Sequence, residues 1–230
     1  MTDNHFKTSE KTWDDIAESF DCTRRKPWTE CVDFINELPE SYIVADLGCG
    51  NGRHLIPCAK RCKKVIGLDI SRNLLSITQN KIKKESLGNV VLIHCNLTDI
   101  PLKDNSLDAA LYIASLHNIK GRKDRLRSLK EVKRILKSDG RVLISVWSRW
   151  QDKYRKHFLK KLFSSKEEFG DIEIYWRQHN LNIPRFYHLY SKREFARDLI
   201  QAELEIERIQ SVKLHSKLSA DNYFAIVRKG

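Results

Sequence analysis

Asp46-Leu47-Gly48-Cys49-Gly50-Asn51-Gly52 sets an acid directly before three glycines at alternate positions. The stretch follows an apolar run, Tyr42-Ile43-Val44-Ala45, and precedes a helix-compatible segment over residues 53–63. Glycines let the backbone turn tightly and let a ligand lie against bare peptide groups. A helix starting after them aims its free N–H groups at that ligand. A second apolar run, Lys64-Val65-Ile66-Gly67-Leu68, ends in Asp69. A third, over residues 90–94, runs into Cys95-Asn96-Leu97-Thr98. Three successive strand ends therefore offer an acid beside a glycine turn, a second acid and an amide.

The spacing narrows the chemistry. Dinucleotide binders use G-x-G-x-x-G and seat pyrophosphate at the helix N-terminus. Here the spacing is G-x-G-x-G, and an acid at position 46 would repel pyrophosphate. Asp46 suits a cation instead, such as the amino group in the methionine part of S-adenosylmethionine. Asp69 can accept hydrogen bonds from both ribose hydroxyls. The Asn96 side chain can meet an adenine edge, with the Leu97 N–H assisting. The expectation is S-adenosylmethionine held by Asp46, Gly48, Gly50, Gly52, Asp69, Asn96 and Leu97. A dinucleotide oxidoreductase stays as an alternative.

Positioning these residues takes alternating elements. Short continuous apolar runs predict buried strands over 43–46, 64–68, 90–94, 107–113 and 140–147. Helical spacing predicts helices over 52–62, 72–85 and 121–137, with Ser71 as an N-cap and Gly140 at a helix end. Strands alternating with helices imply parallel crossovers and a doubly wound α/β sheet. Residues 1–12 are polar and are expected to fray. Trp13, Ile16, Ala17 and Phe20 predict a short amphipathic helix, and residues 30–38 a second one stopped by Pro39. Residues 149–190 are rich in bases and aromatics and show no clear strand. Within them, Trp150, Tyr154, Phe158 and Leu162 recur every four residues, predicting an amphipathic helix over 149–166 with a basic outer face. A helix over 191–202 and two closing antiparallel strands, near 204–212 and 223–228, complete the chain.

The chain has 230 residues, 41% hydrophobic and 31% charged, which fits one soluble globular domain with an elaboration. Its net charge of +12 points to a polyanionic partner, with nucleic acid ahead of a membrane surface. Six cysteines occur without a CxxC pair. His54, Cys58 and Cys62 fall four apart, but no second ligand cluster supports them, so no metal is expected. Residues 1–10 lack a signal-peptide core, and no apolar run approaches the ~18 residues of a membrane helix. A reducing cytoplasmic location with free thiols is expected.

From about residue 40 to 228 the chain resembles the class I S-adenosylmethionine-dependent methyltransferases. That resemblance implies a Rossmann-like seven-stranded sheet, mostly parallel with an antiparallel last strand. It implies residues 41–230 as the methyltransferase domain, residues 1–40 as a helical and basic segment packed on it, and an insertion at about 149–190 forming part of the substrate site. It also places Ile113, at the fourth strand end, beside the cofactor. Further segments are similar to one subfamily, the tRNA methyltransferases that esterify 5-carboxymethyluridine at the wobble position. They are Ile16-Ala17, Phe20, Thr23-Arg24-Arg25-Lys26-Pro27-Trp28, Ile113-Ala114-Ser115-Leu116-His117-Asn118, Trp147, and Arg185-Phe186-Tyr187-His188-Leu189-Tyr190. The subfamily has histidine where Asn118 stands.

The implied chemistry suits these residues. A carboxylate is nucleophilic at neutral pH, so ester formation needs no strong general base. It needs a cation that holds the carboxylate in line with the methyl group, and arginine does this through its bidentate fork. Arg24 and Arg185 are the catalytic candidates, with His117 and His188 orienting the substrate or contacting the base. Trp28 and Trp147 can stack on a flipped wobble base. Arg25 and Lys26, with Tyr187, join them as substrate-binding candidates on tRNA. The subfamily also implies a heterodimer with a small zinc-binding activator protein, whose added strand would pair with the edge strand over residues 90–94. A small-molecule methyltransferase and a non-catalytic tRNA-binding module of the same fold are the alternatives.

Overall fold

The structure, a computed structural model, describes residues 2–161 and 168–230. Its strands are β1 (Ile43–Leu47), β2 (Lys64–Asp69), β3 (Val90–His94), β4 (Leu107–Ile113), β5 (Leu136–Trp147), β6 (Asp171–Trp176), β7 (Ile183–His188), β8 (Leu204–Val212) and β9 (Asn222–Lys229). Seven of them form one sheet in the order β3-β2-β1-β4-β5-β9-β8. The β3-to-β5 portion is parallel; β9 runs antiparallel to both β5 and β8. The chain reverses direction between β1 and β4, which leaves a crevice at the carboxyl ends of those strands.

The helices are α1 (Thr2–Asp15), α2 (Ala17–Thr23), α3 (Thr29–Glu37), α4 (Leu55–Arg61), α5 (Arg72–Lys84), α6 (Arg122–Ile135), α7 (Arg155–Lys161) and α8 (Lys192–Gln201). Successive strand residues point to opposite faces of the sheet. Ala45, Leu47, Ala110, Tyr112 and Ile144 pack with Leu129, Val132 and Ile135 of α6 and Phe195 and Leu199 of α8. Val44, Val65, Leu111 and Leu143 pack on the other face with Phe34 and Ile35 of α3, Leu55 of α4 and Ile82 of α5. Cys31, Cys58 and Cys62 belong to this second core, so the predicted helix carrying His54, Cys58 and Cys62 buries its thiols in apolar packing.

Three expectations need correction. Residues 2–15 are helical because α1 docks against α5 and β7. Asp14 accepts hydrogen bonds from Ser71 Oγ at 2.6 Å and from Asn73 N at 3.0 Å, while Ser71 also caps α5 through Leu74 N. The 149–190 segment contains an antiparallel ribbon, β6 paired with β7. Ile172, Ile174 and Trp176 alternate there with Glu173, Tyr175 and Arg177, a period-two pattern obscured by the charged positions and by Pro184. The helix predicted over 149–166 is described only as the short α7, and Leu162 and Lys166 lie outside the described residues. Tyr154 and Phe158 do turn inward, against Ile174, Tyr187 and Leu189. Arg149 is not on a basic outer face, because it is buried and ion-paired with Glu194. Among the described residues no helix is long and apolar enough to cross a membrane.

Candidate cofactor and substrate site

A cavity of about 590 Å³ opens at the carboxyl ends of β1, β2, β4 and β5. The glycine turn and Asp69 form its floor at one side, and Trp13, Phe20, Trp176 and Arg185 cover it from α1, α2 and the ribbon.

The glycine turn is built by close approach. Gly48 and Cys49 both donate from their backbone N to Leu68 O, at 2.7 and 2.9 Å, which fastens the turn to the end of β2. Gly48 has φ +78°, and a Cβ there would lie 2.2 Å from Ser115 Oγ. Gly52 has φ +79° and meets Thr78 in the same way. Only glycine takes this backbone without strain. Thr78 Oγ1 in turn donates to Gly50 O at 2.7 Å.

Asp46 is buried under this turn, and its Oδ2 has no hydrogen-bond partner. Burial, the neighbouring Asp69 and too little help from Arg53 push its carboxyl up to about 7. An orphaned, desolvated carboxylate oxygen beside a turn that admits no side chain fits a cationic ligand group, as the amino end of S-adenosylmethionine provides. Asp46 lies behind the cavity wall rather than on it. Asp69 does line the cavity. Its Oδ2 accepts from Gly50 N at 2.7 Å and its Oδ1 from Ser71 N at 2.9 Å. Burial holds it near 6 even so. Each oxygen keeps a second lone pair for a ribose hydroxyl. Asn96 closes a turn by accepting Thr98 N at 3.0 Å, and lines the cavity with Leu97 and Ile113. Gly50 and Gly52 are not in the lining; Gly50 holds Asp69 through its N–H and Gly52 packs on Thr78.

The substrate side is aromatic and cationic. Arg185, 7% exposed, lies with its guanidinium carbon 4.8 Å from the Trp176 ring centre, 5.0 Å from Tyr187 and 5.7 Å from Trp13. Arg24 lies 5.4 Å from the same Trp176 ring. Burial first, then the nearby Arg185, lower its pKa, with Tyr187 opposing. Neither arginine has a carboxylate ion pair among the described residues. Trp176 is fixed by donating Nε1–H to Ser19 Oγ at 2.8 Å, which joins β6 to α2. His117, Trp147 and Tyr187 form a stacked group, with Trp147 and Tyr187 4.9 Å apart at 12°.

Several expected residues sit elsewhere. His188 is off the cavity. It is buried between Asp171 Oδ1 at 2.7 Å and Glu194 Oε1 at 3.0 Å, so it ties the ribbon to α8. Glu168, Asp171 and His188 have the spacing of a cation site, but Arg125 and the Arg122 N–H already hold Glu168. Trp28 does line the cavity, with Arg53 4.7 Å over one face of its ring and Phe224 packed on its edge. Arg25 and Lys26 are exposed outside the cavity. Sequence reasoning missed Arg53, a cavity-lining cation lowered to about 10 chiefly by burial. It also missed Trp176, which the alternation of β6 could have revealed, and the cover by Trp13 and Phe20, which read only as an apolar helix stripe.

Comparison with known proteins agrees with this arrangement. A family model described as "Methyltransferase domain" matches residues 45–144. A tRNA (carboxymethyluridine(34)-5-O)-methyltransferase of Xenopus tropicalis is 35% identical over 160 residues, covering 70% of this chain and 24% of that protein. The chain thus spans about a quarter of the length of the first curated relatives it matches. An Encephalitozoon cuniculi protein named only as a candidate methyltransferase is 31% identical, covering 77% of this chain and 78% of its own. A Schizosaccharomyces pombe tRNA (carboxymethyluridine(34)-5-O)-methyltransferase is 29% identical, covering 80% and 82%. Among solved structures, a Methanosarcina mazei S-adenosylmethionine-dependent methyltransferase superposes with TM-score 0.75 at 22% identity, covering 89% of this chain and 98% of that one. A Haloferax volcanii methyltransferase solved in complex with the Trm112 methyltransferase activator gives TM-score 0.72 at 15% identity, covering 96% and 97%. The chain belongs to the class I S-adenosylmethionine-dependent methyltransferases and stands close to the tRNA carboxymethyluridine methyltransferases among them.

Proposed function

We propose that this chain esterifies the carboxylate of 5-carboxymethyluridine at the wobble position of tRNA. The observation that carries this reading is the pair Arg24 and Arg185, gathered over one indole ring with no acid among the described residues to neutralise them. Two cations left unpaired beside a methyl-transfer site call for an anionic acceptor. S-adenosylmethionine, when bound, supplies an electrophilic methyl group. Arg185 and Arg24 bind the substrate carboxylate and hold it in one orientation, which can supply several kcal/mol of the barrier reduction. Tyr187 braces Arg185, and Trp147 with Tyr187 gives the base a flat apolar wall. Trp13, Phe20 and Trp176 exclude water from the carboxylate.

The tRNA part rests on the named relatives and on charge. The net charge is +12, and Arg25, Lys26, Arg177, Lys192 and Arg193 are exposed around the N-terminal segment, the ribbon and α8. Such contacts position phosphates and weaken as salt rises. The ribbon and residues 1–40 would together form the substrate side of the domain. The partner is proposed as a small activator protein pairing with β3, a free edge of the sheet whose Val91 is 43% exposed. The Haloferax neighbour, solved with an activator, supports that choice. Six free thiols, five of them buried, suit a reducing cytoplasmic setting.

The deciding experiment incubates the chain with methyl-labelled S-adenosylmethionine and tRNA bearing 5-carboxymethyluridine. Label that enters the RNA and is released by mild alkali is the expected result. Label that resists alkali, or that enters a small carboxylic acid and no RNA, overturns the proposal.

A further inference from the structure

The turn between β4 and α6, Leu116–Asn118, carries two buried polar atoms to which carboxylate binding by Arg24 and Arg185 gives no partner. His117 is fully buried and accepts the Trp147 backbone N–H on Nδ1 at 3.1 Å. A ring nitrogen that accepts a hydrogen bond carries no proton, so the neutral imidazole has its proton on Nε2. Burial, with His188 and Arg185 nearby, holds the ring neutral by lowering it to about 3. Its Nε2–H is therefore a donor at working pH, and it has no partner. Asn118 donates from Nδ2 to Ala114 O at 3.0 Å. A carbonyl only accepts, so this bond fixes which end of the amide is which. The Asn118 Oδ1 is left as a buried acceptor, also without a partner.

Both residues line the cavity, on the side of Trp147, Tyr187 and Arg185. One turn thus presents an unpaired donor next to an unpaired acceptor. The imide edge of uracil presents the complement: an N3–H donor flanked by two carbonyl acceptors. Cytosine presents the reverse at N3 and C4. Resting on the proposed uridine substrate, we propose that His117 and Asn118 read this edge, with His117 Nε2–H donating to a ring carbonyl and Asn118 Oδ1 accepting N3–H. The adenine of the cofactor also has a donor beside an acceptor. Its expected station is the Asn96 turn after β3, however, and β2, β1 and β4 separate that strand from β5, beside which the His117 turn lies. His117 is held for the task by stacking on Trp147 and Tyr187 at ring-centre distances of 5.4 Å. Where the tRNA subfamily it resembles has a second histidine, this chain has the acceptor of an asparagine.

The test uses the full chain and three anticodon stem-loops, bearing 5-carboxymethyluridine, its N3-methyl derivative, or 5-carboxymethylcytidine. The unsubstituted chain should prefer the first by about 100-fold or more in kcat/KM, because either analogue leaves a buried polar group unpaired. Asn118→Ala should shrink that preference to a few-fold while the dissociation constant for S-adenosylmethionine changes by less than about twofold. Equal use of the N3-methyl substrate by the unsubstituted chain overturns the proposal, and this arm needs no variant to fold. A preference that survives Asn118→Ala also overturns it, as does a loss confined to cofactor affinity, which would place adenine on this turn. If no stem-loop is methylated although cofactor binds, the proposed function has failed. The edge reading is then decided by binding of the free nucleosides, and equal affinity for 5-carboxymethyluridine and its N3-methyl derivative overturns it.

Discussion

Arg185 donates from Nη1 to the Tyr187 hydroxyl at 2.5 Å, two positions along β7 and on the same face of the ribbon. A phenol orients a guanidinium without cancelling its charge. With three aromatic rings around it and no acid paired to it among the described residues, the guanidinium is left uncompensated in a place that water scarcely reaches. A neighbouring aspartate would have held it equally well and left nothing to attract a substrate.

Arg185→Ala should therefore damage transfer far more than cofactor binding. A charge-assisted hydrogen bond is worth about 1.5–3 kcal/mol, so kcat/KM should fall by roughly 10- to 100-fold or more. Arg185→Lys should recover part of it, as a point charge without the fork. Cofactor affinity, measured by calorimetry, should change less than about threefold, since Arg185 does not touch the glycine turn. A large drop in cofactor affinity would contradict the assigned role.

The two buried acids of the cofactor half give a pH dependence whose sign can be worked out. In the folded chain Asp46 titrates near 7 and Asp69 near 6, both above the ordinary carboxylate value near 4. Between about pH 4 and 7 the folded state therefore holds more protons than the unfolded state. The contribution of these groups to stability is greatest in acid and falls as pH rises through that window. A cationic ligand group favours the ionised pair, so binding should expel protons. Cofactor affinity should rise from pH 5 to 7 and level above that. Calorimetry at pH 6 in buffers of different protonation enthalpy should read proton release, and Asp46→Asn should abolish most of it. Binding of S-adenosylmethionine with no proton release, or with release unchanged in Asp46→Asn, would remove Asp46 from this role.

The sheet and the glycine turn were legible because their signals are local. Apolar runs such as Val142-Leu143-Ile144 have one use in a doubly wound fold, and the acids at 46 and 69 lie at their strand ends in sequence as in space. Val90-Val91-Leu92-Ile93 reads as a buried run in the same way and is a half-exposed edge strand, with β2 on one side only among the described residues. The substrate half was legible only as motifs. Arg24 and Arg185 could be named, but not that Trp176 would gather them, because that depends on Ser19 of α2 meeting a ribbon 157 residues away. His188 misled for a related reason. A histidine two residues after an arginine on a strand should share its face, yet here it follows at the third position, from Arg185 to His188, and faces away. Arg53 was hidden by its position inside a helix-compatible segment, where a charge reads as solvent face.

His188 should thus behave as a structural residue. Its two ring nitrogens meet Asp171 and Glu194, and removing the ring takes one buried hydrogen bond from each carboxylate. That costs about 1–3 kcal/mol, which for a chain of this length lowers Tm by roughly 2–10 °C. His188→Ala should show this loss in thermal unfolding, while kcat/KM below the transition falls far less than in Arg185→Ala. Equal losses in activity for the two variants at a temperature where both are folded would return His188 to the substrate site.

The free edge of the sheet offers the last expectation. β3 lies at one end of the strand order, paired only with β2, and Val91 exposes 43% of its surface there. An apolar β-branched residue on an open edge invites strand pairing, which monomeric proteins normally block with charge or proline. β8, at the opposite end, carries Glu205, Glu207 and Arg208, and its ion pairs to Arg228 and Arg141 run across the sheet, so that end is already guarded. Val91→Lys should therefore abolish co-purification with a small activator partner while shifting the Tm of the isolated chain by under about 2 °C, as surface substitutions usually do. Cofactor binding by the isolated chain should be the same for both forms. A matched substitution at an exposed position of the other edge, Gln210→Lys, should leave partner binding intact. Partner loss from the β8 variant and not from the β3 variant would move the interface to the opposite end of the sheet.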